Sequence, residues 1–198
     1  MNKQLIETIK QQALIDKIPI MEEDGLNYVI NYLKENDIES LLEIGTAVGY
    51  SSICFASSNP KLKIVTLEID KERHSMAKEN IRLANLEERI VPILTDARKY
   101  DLPDKFEVLF LDGPKAHNQE LLEKYLKNLK EDGTIIVDNM FFHGYIDSPD
   151  LVEKKRLRPL VKKLAKFRED MLNHPDFESE YLEIGDGLLI CKRRKRYG

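Results

Sequence analysis

Apolar positions along the chain follow two periodicities that alternate. Residues 3–15 carry Leu5, Ile6, Ile9, Ala13 and Leu14 at helical spacing. Pro19 interrupts, and a second stripe of Leu26, Val29, Ile30 and Leu33 predicts another helix. Short continuous apolar runs at 40–44, 63–68, 90–94, 106–112 and 134–138 then read as strands. Helical runs at 51–56, 71–84 and 118–129 lie between them, with Gly133 as a stop after the last. Continuous apolar strands alternating with helices predict a parallel sheet covered on both faces. After a loop at 139–149, a basic helix is expected over 158–172, with Leu160, Val161, Leu164 and Phe167 inward. Two last strands, 180–184 and 188–191, flank Gly185-Asp186-Gly187, a hairpin signal that makes them antiparallel. No repeat or linker breaks residues 1–198, which read as one domain.

The densest local signal is Leu41-Leu42-Glu43-Ile44-Gly45-Thr46-Ala47-Val48-Gly49-Tyr50-Ser51, a strand running into a small-residue turn and a helix. Glycines at 45 and 49 let the backbone bend sharply and a ligand lie against it, and the helix N-terminus offers free N–H groups. A plain tight turn would match the same pattern. In open parallel sheets, however, ligands sit beyond the C-terminal strand ends. All five predicted strands end in or just before an acid: Glu43, Glu68, Asp96, Asp112, and Asp138 followed by Asn139. Ordinary composition would give about one or two. Glu68 lies 23 residues after Gly45, where an acid accepts hydrogen bonds from ribose hydroxyls. NAD-binding and S-adenosylmethionine-binding proteins share that spacing. The NAD fingerprint wants a third glycine, and Glu43 would oppose a pyrophosphate yet suit a cationic ligand, so the second reading is favoured.

Composition narrows the setting. Apolar residues make up 42% and charged residues 33%, with no run near the roughly 18 apolar residues of a membrane helix. The N-terminus lacks a signal-peptide core, and Cys54 and Cys191 both sit in apolar runs, as buried thiols of a cytoplasmic protein would. His74, His117, His143 and His174 have no zinc-ligand spacing, so surface or loop positions are expected. Net charge is −4, but residues 154–198 hold 13 Lys+Arg against 7 Asp+Glu. A basic end on an acidic body suits a polyanion, and equally a solvated helix face with a solubilising tail.

The nonapeptide from Glu43 to Ser51, with Ala47 in place of a more common glycine, resembles the first motif of the cation-dependent class I O-methyltransferases, the catechol and caffeoyl-CoA type. The resemblance runs from Pro19-Ile20-Met21 to the terminal hairpin. It implies the Rossmann-like class I methyltransferase fold: α/β, a seven-stranded mostly parallel sheet with helices on both faces and a C-terminal antiparallel hairpin. Residues 1–38 would lie over the cofactor site, and 192–198 would form a basic tail. It further implies S-adenosylmethionine as cofactor, contacted by Met21, Ser51, Glu68 at the ribose and Asp96-Ala97 near the adenine, besides Glu43, Gly45 and Asp112. A homodimer is implied as well.

Asp112, Asp138 and Asn139 offer two carboxylates and an amide oxygen, an all-oxygen set suited to Mg²⁺, and match the family's metal ligands. A helix N-cap would also account for Asp112. Lys115 stands at the spacing of the family's lysine that takes the proton from the substrate hydroxyl; a solvated surface lysine is the alternative. Pro19-Ile20-Met21, residues 138–144, Asn173-His174-Pro175-Asp176-Phe177 and Gly185-Asp186-Gly187-Leu188 are similar to the bacterial tRNA 5-hydroxyuridine methyltransferases. That implies tRNA as partner, met through Lys154-Lys155-Arg156, the cations of the following helix and Lys192-Arg193-Arg194-Lys195-Arg196. A small catechol is the alternative substrate. The chain departs from that group in a shorter N-terminus and in Gly113-Pro114 before Lys115, which bears on where the lysine sits.

Overall fold

The computed structural model describes residues 3–141, 144–147, 152 and 155–195. His143, Lys154, Arg196 and part of the 139–149 loop lie outside the described residues. Two helices, α1 (Lys3–Ile15) and α2 (Glu23–Glu35), precede β1 (Ser40–Ile44), α3 (Tyr50–Ser58), β2 (Lys63–Glu68), α4 (Lys71–Leu83) and β3 (Ile90–Leu94). Then come β4 (Phe106–Leu111), α5 (Asn118–Tyr125), β5 (Leu129–Val137), α6 (Arg158–Leu172), β6 (Phe177–Leu182) and β7 (Leu188–Arg193). The strands form one seven-stranded sheet in the order β3-β2-β1-β4-β5-β7-β6. Pairings from β3 through β5 are parallel, and β7 runs antiparallel to both β5 and β6.

Successive strand residues feed two separate cores, as the period of two in a strand requires. Leu41, Val108, Phe110, Ile136, Leu188 and Ile190 face α1, α2 and α3, whereas Leu42, Leu109, Leu111, Ile135, Leu189 and Cys191 face α5 and α6. Both cysteines are free and buried. The sequence therefore reads as unbroken apolar runs. From β1 the chain winds outward to β3, then returns through residues 95–105 to β4, beside β1. That reversal of winding is the switch point, and the crevice opens at the C-terminal ends of β1 and β4.

The largest departures from expectation lie around Gly133 and in the terminal hairpin. Leu126–Asn128 is a 3-10 turn, and β5 begins at Leu129, so Gly133 lies inside a strand rather than after a helix. The register shifts between Phe106 and Val108, and a Cβ at Gly133 would sit 2.7 Å from the Leu129 Cδ1 and 3.0 Å from the Glu107 carbonyl oxygen. The glycine permits this irregularity. In the hairpin, β6 starts and ends earlier than its apolar pattern suggests, leaving residues 183–187 as the loop. On α6 and α2, Leu160 and Ile30 are only partly covered, while Met171 is buried.

Gly45 carries the tightest approach. It has φ +108°, and a Cβ there would lie 2.4 Å from the Asp112 carbonyl oxygen. At Gly113 the same test gives 3.3 Å to the Ile44 oxygen, with no positive φ. Gly45→Ala is expected to destabilise the protein by at least ~2 kcal/mol, from overpacking plus a left-handed alanine, and Gly113→Ala by clearly less. Urea midpoints of the two variants test this; equal midpoints would contradict it.

Candidate active site at the C-terminal strand ends

Backbone hydrogen bonds continue past the strands and set the site's floor. Gly45 N–H donates to the Leu67 oxygen at 3.0 Å, Asp112 N–H to Ile44 at 3.0 Å, Asp138 N–H to Leu111 at 3.1 Å, and Thr95 N–H to Glu68 at 2.7 Å. Each bond fixes the first residue beyond one strand to its neighbour. The polar strand-end residues therefore stand in a row along one edge. A cavity of about 510 Å³ opens there, within the usual range for small-molecule clefts. Met21, Gly45, Glu68, Asp96, Ala97, Asp112, Lys115, Asp138 and Asn139 all line it.

The turn after β1 is held by acids from two strands. Ala47 has φ 46°, a conformation that costs a Cβ-bearing residue roughly 1–2 kcal/mol. Its N–H donates to Glu68 Oε2 at 2.8 Å, while Ile69 and Asp70 donate to Oε1 at 2.9 and 2.8 Å. Glu68 thus supports the turn and lines the cavity together. Gly49, at φ 81°, opens α3 without a side-chain cap.

Glu43 requires a correction. Its carboxyl does not line the cavity; it is fully buried beneath the turn. The Ser51 hydroxyl donates to its Oε1 at 2.5 Å, and those of Thr66 (2.5 Å) and Ser52 donate to Oε2. Thr46 donates in turn to Thr66 Oγ1 at 2.6 Å. With that hydroxyl shell around it, Glu43 organises the first turn of α3 rather than facing a ligand's positive charge. Ser51 borders a narrow recess beside the cavity, but its hydroxyl is committed to Glu43.

The three proposed metal donors come together. Asp112 and Asp138 sit on adjacent strand ends, and burial together with the Asp112 charge pushes the Asp138 carboxyl up to about 7. Asn139 follows with φ 62°, a left-handed position that asparagine tolerates. Its Nδ2 donates to Asp186 Oδ2 at 3.2 Å, which leaves the carbonyl end for the cavity side. No group of three or more His, Cys, Asp and Glu that could hold a metal occurs among the described residues. Two carboxylates and one amide oxygen nevertheless fit a hard cation that keeps several waters, as Mg²⁺ does. Lys115 opens a 3-10 turn, Lys115–His117, and its Nζ lies 3.0 Å from Asp112 Oδ1. Gly113-Pro114 therefore does not move the lysine away from the acids.

Other lining residues escaped sequence reasoning. Arg98 forks onto both Asp96 oxygens at 3.0 and 2.8 Å and holds that carboxyl below its usual range. Arg73 and His117 also line the cavity, so His117 is not merely a loop residue. An arginine two residues from a strand-end acid was the available signal for Arg98.

The basic C-terminal stretch divides in two. Lys192 pairs with Thr134, four residues before Asp138 along β5, so it stands roughly 13 Å away, toward the opposite sheet edge. There Arg193 donates to the carbonyls of Leu126, Leu129 and Lys130, and Arg194 Nε to that of Phe177 at 2.9 Å. By contrast, Lys163 of α6 donates to the Ala116 oxygen, inside the turn that carries Lys115. No helix is long and apolar enough to cross a membrane among the described residues.

Burial raises the Glu43 carboxyl from 4.5 to about 7, against the Ser51, Ser52 and Thr66 hydroxyls that lower it. The folded protein then binds this proton more tightly than the unfolded chain. Its contribution is favourable below about pH 4.5 and is lost as pH rises toward 7, by about 3 kcal/mol in all. Glu43→Gln is expected to gain stability relative to the parent between pH 5 and 7.5, measured by urea midpoints. Parallel pH profiles would contradict it.

The O-methyltransferase family profile matches residues 1–194. A solved Staphylococcus aureus structure, provisionally identified as a caffeoyl-CoA O-methyltransferase, superposes with TM-score 0.91 at 29% identity, covering 96% of this chain and 92% of that one. Tapetum-specific methyltransferase 1 of Arabidopsis thaliana is 26% identical over 193 residues, 94% of this chain and 82% of that protein. The flavonoid 3',5'-methyltransferase of Vitis vinifera is 27% identical over 201 residues, 95% and 83% respectively. The resemblance in the Glu43–Ser51 motif thus extends across the sequence, and the chain belongs to the O-methyltransferase family.

Proposed function

We propose that this protein transfers a methyl group from S-adenosylmethionine to a hydroxyl that neighbours a second oxygen, with a divalent cation in attendance. The observation that carries the reading is the meeting of Asp112, Asp138, Asn139 and Lys115 on the wall of the cavity that Gly45 and Glu68 also line. Two solved relatives of the same fold are described with S-adenosylhomocysteine and S-adenosylmethionine bound, at 21% and 20% identity, which supports that choice of cofactor.

S-adenosylmethionine supplies an electrophilic methyl on a sulfonium. The Gly45–Gly49 turn would give it backbone to lie against, Glu68 would meet its ribose hydroxyls, and Asp96 with Ala97 would border its adenine, all from the cavity wall. When held by Asp112, Asp138 and Asn139, Mg²⁺ supplies charge that lowers the pKa of a nearby substrate hydroxyl. Lys115 Nζ, held beside Asp112, would take the released proton or, as an ammonium, offset the negative charge left on the substrate oxygen. The transfer would form a C–O bond from the substrate oxygen as the C–S bond breaks and its electron pair passes to sulfur. The chain's share is positioning and charge neutralisation.

For the substrate we favour 5-hydroxyuridine in tRNA, whose 5-hydroxyl adjoins the 4-carbonyl oxygen. Residues 155–168 hold seven Lys and Arg and no Asp or Glu. Lys163 ties this helix to the Lys115 turn at the cavity wall, and Lys155 and Arg156 are exposed. Phosphate contacts require such charge. A small catechol-like substrate is the second reading, favoured by the flavonoid methyltransferase among the relatives.

Labelled methyl transfer onto tRNA carrying 5-hydroxyuridine, and onto a catechol in parallel, is expected to label the tRNA with Mg²⁺ and not with EDTA. Exchange of Lys155, Arg156 and Lys162 for Glu is expected to abolish tRNA labelling, whereas Lys195→Glu has little effect. Catechol labelling alone would establish the second reading. Lys115→Ala is expected to lower turnover by about 10²–10⁴-fold while S-adenosylhomocysteine binding persists; unchanged turnover would remove Lys115 from the mechanism.

A further inference from the structure

The Gly185-Asp186-Gly187 loop is more than a reversal between β6 and β7. Both glycines have positive φ, 58° and 86°, and both are pressed against other segments. A Cβ at Gly185 would meet the Gly25 nitrogen of α2 at 3.3 Å, and one at Gly187 the Phe141 nitrogen at 2.5 Å. Met140 N–H donates to the Gly187 oxygen at 2.9 Å, and Phe141 N–H to the Asp186 oxygen at 2.7 Å. The loop therefore grips the two residues directly after Asn139. Its one carboxylate reaches back to Asn139 itself, accepting from Nδ2 at 3.2 Å.

An amide can serve a cation only through its oxygen. Asparagine has no intrinsic preference between its two ends, and a half-turn about its last bond would present NH₂ to the cavity instead. A carboxylate facing one end settles the matter, because it attracts the N–H and repels the oxygen. We infer that Asp186 is a positioning residue, whose carboxylate holds the Asn139 amide with its oxygen toward Asp112 and Asp138. This inference rests on the reading of those three residues as the cation's donors. It gives the Asp between the two glycines a task that chain reversal does not require. Outer partners of this kind are worth about 10–100-fold in metal affinity.

The test uses Mn²⁺ as probe, followed by the resonance of the free ion as it is titrated into the full chain. Asp186→Ala is expected to bind Mn²⁺ about 10–100-fold more weakly, and Asp186→Asn, which keeps an accepting oxygen, to recover most of that loss. S-adenosylhomocysteine affinity without metal is expected to match the parent in both. Equal Mn²⁺ affinity in parent and Asp186→Ala, with Asp138→Asn weakened, would overturn the role of Asp186 and leave the metal reading standing. A parent that binds Mn²⁺ no better than Asp138→Asn would overturn that reading and this one together. The metal-free protein gives a second readout that survives misfolding of the alanine variant. The Asn139 side-chain amide, identified by its loss in Asn139→Asp, is expected to shift in its ¹H–¹⁵N spectrum on Asp186→Asn. An unshifted signal would also overturn the inference.

Discussion

The contact on which this site depends is the approach of the Gly45 backbone to the Asp112 carbonyl. It closes the switch point between β1 and β4, where the winding of the sheet reverses. Because nothing larger than hydrogen fits at Gly45, the turn after β1 and the acid after β4 share one wall of the cavity. The extra hydrogen bonds from Asp112 to Ile44 and from Asp138 to Leu111 carry the same alignment across to β5. Strand pairing thus does the placing that a set of separate loops could do only at greater entropic cost.

Two strand-end carboxyls, Glu43 beneath the cavity wall and Glu68 on it, hold the turn after β1. Glu43 takes the hydroxyls of the first turn of α3, and Glu68 takes three N–H groups around the strained Ala47. Each is an acid kept because its hydrogen bonds are satisfied. The outer acids, Asp112 and Asp138, differ in kind. They stand close enough for the charge of one to raise the pKa of the other, and they have Lys115 and the Asn139 amide beside them. Like charges brought together at a cavity wall are costly, and a bound cation would relieve that cost.

Much of this was legible in the sequence, because strands buried on both faces leave unbroken apolar runs and the residue that ends each run is conspicuous. β1, β2 and β3 fall where the runs fall, and four of the five strand-end acids, all but Glu43, stand on the cavity wall. What stayed hidden depends on tertiary partners. Gly133 has the look of a helix stop, yet only the register shift against β4 explains it. Glu43 resembles a ligand contact until Ser51, Ser52 and Thr66 are seen around it. Arg193 and Arg194 read as a free basic tail, but their hydrogen bonds go to carbonyls at the far sheet edge. Asp186 sits in a turn signal, and its link to Asn139 spans 47 residues.

The most direct measurement is anomalous scattering at the manganese edge from crystals grown with Mn²⁺ and S-adenosylhomocysteine. One strong peak is expected between the Asp112 and Asp138 carboxylates and the Asn139 amide oxygen, at distances of about 2.2 Å, beside ligand density along Gly45 and Glu68. Ligand density there with no peak among those three residues, or a peak held by other side chains, would contradict it.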